Sequence, residues 1–194
     1  MKKAVGVLLL LCASMMVYAG PFGIEMGWSV EGLEYNKIAY ELYSTSGNIS
    51  IYEVFPLNPH PDFSEYYVWV DSGYGIYMIE AYGDYIDTTP DGAVIKKEYE
   101  KIRDQISFGG GDPEEYDYLA EGSSLDQPND WMNALLAEDR YLISYWVQNY
   151  YWEPIEMSLS VLAESDTVGY LCLHYVYDDE TIIDEIYSKY YEDL

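Results

Sequence analysis

Ile155-Glu156-Met157-Ser158-Leu159-Ser160-Val161-Leu162-Ala163, then Ser165-Asp166-Thr167, then Val168 to Tyr177, is the stretch that decides the fold class. In its first part Ile155, Met157, Leu159, Val161 and Ala163 alternate with Glu156, Ser158, Ser160, Leu162 and Glu164. Period-two alternation puts the first set on one face of a strand and the second on the other. Ser-Asp-Thr is turn chemistry, so the second strand returns beside the first in antiparallel sense. Working outward, Tyr141 to Asn149 reads as the strand before this pair and about Glu180 to Tyr191 as the helix after it. That helix is expected to bury Ile183, Ile186 or Tyr187, and Tyr190.

The first half reads similarly. Ser29 is placed to cap a short helix through Leu33 and Tyr35, weakened by Gly32. Asn48 to Phe55 alternates as a strand, with Ile49, Ile51 and Glu53 opposite Tyr52 and Val54. Pro56, Pro59 and Pro61 force an extended connection, since each fixes φ and lacks an amide donor. Tyr66 to Val70 and Tyr74 to Tyr82 form a hairpin around Asp71-Ser72-Gly73. Simple alternation there sends Ile76, Met78 and Glu80 to one face and Tyr77, Ile79 and Ala81 to the other. Thr89-Pro90-Asp91 is a helix start, and Ile95, Tyr99, Ile102 and Ile106 share one helical face up to Gly109-Gly110-Gly111. An acidic, turn-rich loop to about Asn129 follows, then a helix from Asp130 to Glu138.

The order helix, three strands, helix therefore runs over 29–107 and again over 130–192. The strands Gly75–Tyr82 and Gly169–Val176 look alike, which predicts a duplicated unit. The expected fold class is α+β, a mostly antiparallel sheet with helices packed on one face, forming a single domain over 20–194.

Residues 1–19 precede that domain. Lys2 and Lys3 lead an uncharged apolar run, Ala4 to Val17, and Val17-Tyr18-Ala19 has the compact residues of a cleavage site. This predicts a secretory signal peptide cut after Ala19. The run is shorter than the roughly 20 residues a membrane span needs. Leu11 before Cys12 does not suit a lipidation site. An exported protein, periplasmic or extracellular, follows as the expectation. The full chain of 194 residues carries 35 acidic and 9 basic side chains, a formal charge of −26; loss of Lys2 and Lys3 takes it to −28. Such a charge opposes phosphate-backbone binding, so nucleic acid is not an expected partner. With 49% apolar residues and 24 tyrosines the chain is too apolar for a disordered acidic tail. Cys172 is the one cysteine after residue 19, so no intrachain disulfide is expected there.

Three segments resemble a group of exported bacterial proteins of unknown function. They are Phe22-Gly23-Ile24-Glu25-Met26-Gly27-Trp28-Ser29; Pro59-His60-Pro61-Asp62-Phe63 with Tyr66; and Asp130-Trp131-Met132 with Ala134, Leu135, Arg140 and Trp146. The resemblance covers most of the chain and implies no activity. Met26-Gly27-Trp28-Ser29 with Glu31 also resembles one helical turn of the small lipoprotein of the outer-membrane β-barrel assembly machinery, from which no function carries over.

The chemistry-bearing residues support no catalytic or metal assignment and no cofactor. Cys172 and His174 share a strand face but lack a third partner; they read as a buried thiol and a hydrogen-bonded imidazole. Two acidic clusters, Asp84…Asp87…Asp91-Gly92 and Asp112…Glu114-Glu115…Asp117, lack EF-hand spacing and read as solvated loops. Lys96, Lys97, Lys101 and Arg103 lie together on or beside the polar face of their helix, where Glu100 can pair with Arg103. The doublets Tyr66-Tyr67, Tyr150-Tyr151-Trp152 and Tyr190-Tyr191 cannot face wholly inward, so some rings are exposed and suited to an interface. The expected function is a non-enzymatic exported protein that binds through acidic loops and Tyr-rich strands, with a cationic protein or peptide or a divalent cation as partner. The alternative is an exported carboxylate-dependent hydrolase acting on glycans.

Overall fold

A computed structural model describes residues 20–150, 153–177 and 180–192. The signal-peptide reading of residues 1–19 and the Tyr151-Trp152 part of the tyrosine cluster lie outside them. The chain forms α1 (Val30–Tyr35), β1 (Ala39–Ser46), β2 (Ile49–Phe55), β3 (Glu65–Asp71), β4 (Gly75–Tyr82), β5 (Ile86–Asp87), α2 (Ala93–Gly110), β6 (Glu114–Leu119), α3 (Trp131–Leu136), β7 (Arg140–Tyr150), β8 (Glu153–Ala163), β9 (Val168–Tyr177) and α4 (Glu180–Glu192). All paired strands are antiparallel and form one sheet in the order β1-β2-β3-β4-β9-β8-β7-β6. Two meanders thus meet at β4 and β9, and β5 extends the line of β4 along β9. The architecture is α+β, as expected. Among the described residues no helix is long and apolar enough to cross a membrane.

Alternation gives the sheet two different faces. One carries Val54, Val68, Ile79, Leu159, Val161, Leu171 and Leu173 and packs against α1, α2 and α3 through Leu33, Ile95, Tyr99, Ile102, Met132 and Leu135. The helix-to-sheet approach is closest at Gly169. A Cβ there would stand 2.7 Å from Ile95 Cδ1 and 2.6 Å from the Leu162 carbonyl oxygen. The other face carries Ile49, Trp69 and Met78, against which α4 sets Ile182, Ile183 and Ile186. The helices therefore do not all lie on one face. α4 follows β9 at the sheet's centre and covers the apolar end of the second face, tied to the β3–β4 turn by Tyr74 donating to Glu185 at 2.6 Å.

Three further expectations change. Residues 39–46 form an edge strand that the sequence pattern conceals. Seven of its eight residues are exposed, so they carry no inside-outside alternation. The first half accordingly has five strands between α1 and α2, counting the two-residue β5, not three. The segment expected to be acidic loop contains β6, whose Glu-Glu-Tyr-Asp-Tyr-Leu sits at the opposite edge. Charge at an edge strand keeps foreign strands away and leaves pairing with β7 intact. In β4 the register shifts opposite Trp69 and Val70. That bulge breaks simple alternation: Ile76 joins Ile79 in the main core, and Tyr77 joins Met78 on the second face.

The two strands likened in sequence, β4 and β9, are hydrogen-bonded neighbours. The halves share a different feature. After α1 the chain turns through left-handed Lys37 (φ 62°), and after α3 through Glu138 (φ 58°). The backbone bonds match one for one: Asn36 N–H to Gly32, Lys37 to Glu34 and Ile38 to Leu33, against Ala137 to Asn133, Glu138 to Leu135 and Asp139 to Ala134.

The segments that carried the family resemblance are structural. Phe22 meets Tyr66 edge-on at 4.9 Å, and the Tyr66 hydroxyl accepts from His60 N at 2.8 Å. Asp130-Trp131-Met132 opens α3 and buries both Trp131 and Met132.

Candidate functional site

Part of the second face is open. A cavity of about 380 Å³ lies there, floored by β2, β3, β4 and β9. Its lining includes the rings of Tyr43, Tyr67, Trp69, Tyr82, Tyr85 and Tyr170, together with the carboxylates of Glu65, Glu80 and Asp84. Among the described residues no lysine or arginine lines it.

Each ring arrives for a local reason. Tyr67 and Trp69 are two apart on β3, and Glu80 and Tyr82 are two apart on β4, so each pair shares the face. Tyr67 stands opposite Glu80, and Tyr82 stands opposite Cys172 on β9. Tyr43 arrives by a bulge: the register between β1 and β2 shifts between Leu42 and Ser44, which re-aims that ring. It then meets Tyr67 at 5.3 Å. Tyr67 meets Tyr82 at 5.8 Å, Tyr82 meets Tyr170 at 6.0 Å, and Tyr170 meets Tyr85 at 5.7 Å. A continuous aromatic row therefore crosses the sheet from its edge to β9.

The acids are held in place. Glu80 accepts from Trp69 Nε1 at 2.7 Å, Asp84 from Ser64 Oγ at 2.7 Å, and Glu65 from the Tyr67 hydroxyl at 3.3 Å. Beneath the cavity, His174 stands opposite Glu80, and Cys172 lies on the same face. Burial pushes the Cys172 thiol up to about 12, which leaves it protonated and a poor nucleophile at neutral pH. Burial lowers the His174 pKa, while the Glu80 charge acts to raise it.

The clusters singled out in the sequence disperse. Asp84 lines the cavity, Asp87 pairs with Val168 in β5, and Asp91 accepts from Thr89 and Ala93 N ahead of α2. Glu115 binds Arg103 at 2.6 Å, and Asp117 lies 3.6 Å from Arg140. Among the described residues no group of three or more His, Cys, Asp or Glu side chains could hold a metal ion. Three of the four residues of the basic cluster are likewise occupied. Lys96 lies 4.0 Å over the Trp131 ring, Lys101 pairs with Asp62 and Glu98, and Arg103 pairs with Asp104 and Glu115, not with Glu100.

The tyrosines set an alkaline limit. Burial is the leading cause that pushes Tyr67 and Tyr99 up to about 12, and it moves Tyr77 and Tyr82 further in the same direction. A phenol that ionises less readily folded than unfolded contributes stability that is complete below its unfolded value, near pH 10, and lost as pH rises through its folded value. The denaturation midpoint is therefore expected to fall steeply between about pH 10 and 12. Urea titrations across that window check this; a midpoint that does not fall would show that these phenols are not held by the fold.

Comparison with known proteins finds no match: no family model, no curated protein and no solved structure matches the chain.

Proposed function

We propose that the protein is a non-enzymatic binding protein, exported to the periplasm or the extracellular space, that takes a cationic partner on its tyrosine-lined cavity. One observation carries the reading: among the described residues, six aromatic rings and three carboxylates line a single cavity and no basic side chain does. Ring faces and carboxylates both attract positive charge, and the chain's −26 adds a field that draws cations toward it. The test is fluorescence anisotropy of a labelled Lys- and Arg-rich peptide at low and high salt. Affinity is expected to fall at least about tenfold as salt rises from 0.02 to 0.5 M, and to fall again in Glu80→Gln/Asp84→Asn. Equal affinity at both salts sinks an electrostatic partner.

The second reading, a carboxylate-dependent hydrolase acting on glycans, is favoured by the same meeting of rings and carboxylates. It ranks lower because each of the three carboxylates already accepts a hydrogen bond from its own neighbour. Release of reducing ends from a polysaccharide, abolished by Glu80→Gln, would promote it.

Export, membership of the exported bacterial group and common descent of the two halves belong to the same proposal. The Lys2-Lys3 start with its apolar run supports export, which N-terminal sequencing of the mature protein would check at Gly20. The matched corners at Lys37 and Glu138 support duplication.

A further inference from the structure

We infer that the group recognised in this cavity is a quaternary ammonium, held by ring faces and surrounding negative charge with no hydrogen bond to the cation. The inference rests on the cavity being the binding site and narrows its ligand.

The geometry of the rings is the first ground. Tyr43 and Tyr67 are turned 71° to one another, Tyr67 and Tyr82 74°, Tyr82 and Tyr170 56°, and Tyr170 and Tyr85 84°. A flat row of coplanar rings would make a platform for a sugar or a base. Rings crossed against their neighbours instead make walls whose faces look in several directions, which suits a round cation. The bulge at Tyr43 contributes to this shape by bringing an edge-strand ring over Tyr67.

The second ground is the state of the carboxylates. Trp69, Ser64 and Tyr67 each donate to one of them. These acids supply charge, but their acceptor capacity is partly used. A primary ammonium or a guanidinium entering the cavity brings N–H donors whose lost water must be replaced. A trimethylammonium group brings none, so aromatic faces and nearby negative charge satisfy it. The cavity, at about 380 Å³, is of ligand size.

The source of such a group is either a free cation or a lipid headgroup, and the experiment separates them. Full-length protein is titrated with choline chloride by calorimetry and tryptophan fluorescence, Trp69 being the indole in the cavity wall. Ethanolamine is the control that keeps charge and gains N–H donors. 3,3-Dimethylbutan-1-ol is the control that keeps shape and loses charge. Choline is expected to saturate, with each control at least about tenfold weaker. Tyr43→Ala, at a ring 68% exposed and therefore safe for the fold, is expected to weaken choline several-fold, as is Tyr67→Leu. Sedimentation with phosphatidylcholine against phosphatidylglycerol vesicles assigns the source: binding to the first alone marks a lipid headgroup, and choline binding without vesicle binding marks a free cation. Choline no tighter than ethanolamine or the alcohol overturns the inference. If the Lys- and Arg-rich peptide still binds in that case, the cationic reading survives and only the quaternary preference fails. If neither binds, both fail.

Discussion

Trp131→Ala is expected to lower the unfolding free energy by about 3–5 kcal/mol, the cost typical of emptying a buried indole site. Trp131 is 3% exposed at the start of α3, where it wedges α3 beneath the N-terminus of α2. Gly92 makes room for it: a Cβ there would lie 2.3 Å from the ring, and Gly92 has φ +70°, which favours glycine independently. Lys96 covers the ring at 4.0 Å and donates to the Asp91 carbonyl at 2.6 Å, so its aliphatic stem and charge both close the site. Burial there lowers the Lys96 pKa. Alanine would leave a cavity between two helices and remove the ring from beneath Lys96. Trp131→Phe is the informative companion. The indole Nε1 is buried without a partner among the described residues, so phenylalanine forfeits area and no hydrogen bond. Its cost is expected to be less than about half that of alanine. Urea denaturation of both variants checks the pair, and equal losses would show that ring size is not what the site selects.

The second large effect is at Gly75, where alanine is expected to cost about 3 kcal/mol, from about 1–2 for a left-handed backbone and about 1 for each hydrogen bond displaced. Gly75 has φ +76°, and a Cβ would lie 2.4 Å from the Gly27 carbonyl oxygen and 2.7 Å from that of Trp28. Both neighbours are backbone and cannot swing away. The bonds at risk join the N-terminal segment to β4: Gly27 N–H donates to Ile76 at 2.7 Å, and Ile76 N–H donates to Trp28 at 2.8 Å. Gly111 supplies the control. It has φ +84° and ψ 179° with nothing within 4 Å of a Cβ, so Gly111→Ala carries backbone strain alone, about 1–3 kcal/mol. Native-state hydrogen exchange should show early loss of protection at Gly27 and Ile76 in Gly75→Ala and none in Gly111→Ala. Unchanged protection at Gly27 and Ile76 in Gly75→Ala would refute the close approach.

These effects bear on what a linear reading reveals. β8 and β9 are legible because each places one row of apolar side chains against helices, and burial writes that row into the sequence at period two. The α2 stripe is legible for the same reason at helical period, with Ile95, Tyr99 and Ile102 all buried. β1 and β6 are not, because an edge strand that buries so little needs no pattern, and β6 adds charge that imitates a loop. The bulge in β4 hides for another reason. Ile76, Tyr77, Met78 and Ile79 are all buried, so the residue that leaves the alternation carries no polar mark.

The cavity divides along the same line. That Tyr67 and Trp69 share a face, and Glu80 and Tyr82 another pair of positions on one face, follows from strand period alone. Composition likewise settles that this is an acidic, tyrosine-rich chain, and periodicity with turn chemistry that it is α+β with an antiparallel sheet, because local propensity and burial act residue by residue. Which rings meet, that Tyr43 joins them through a bulge, and that α4 packs on the second face are set by strand register and helix docking. Those depend on contacts between residues far apart in the chain, such as Tyr82 with Tyr170 and Tyr74 with Glu185, and no single segment encodes them.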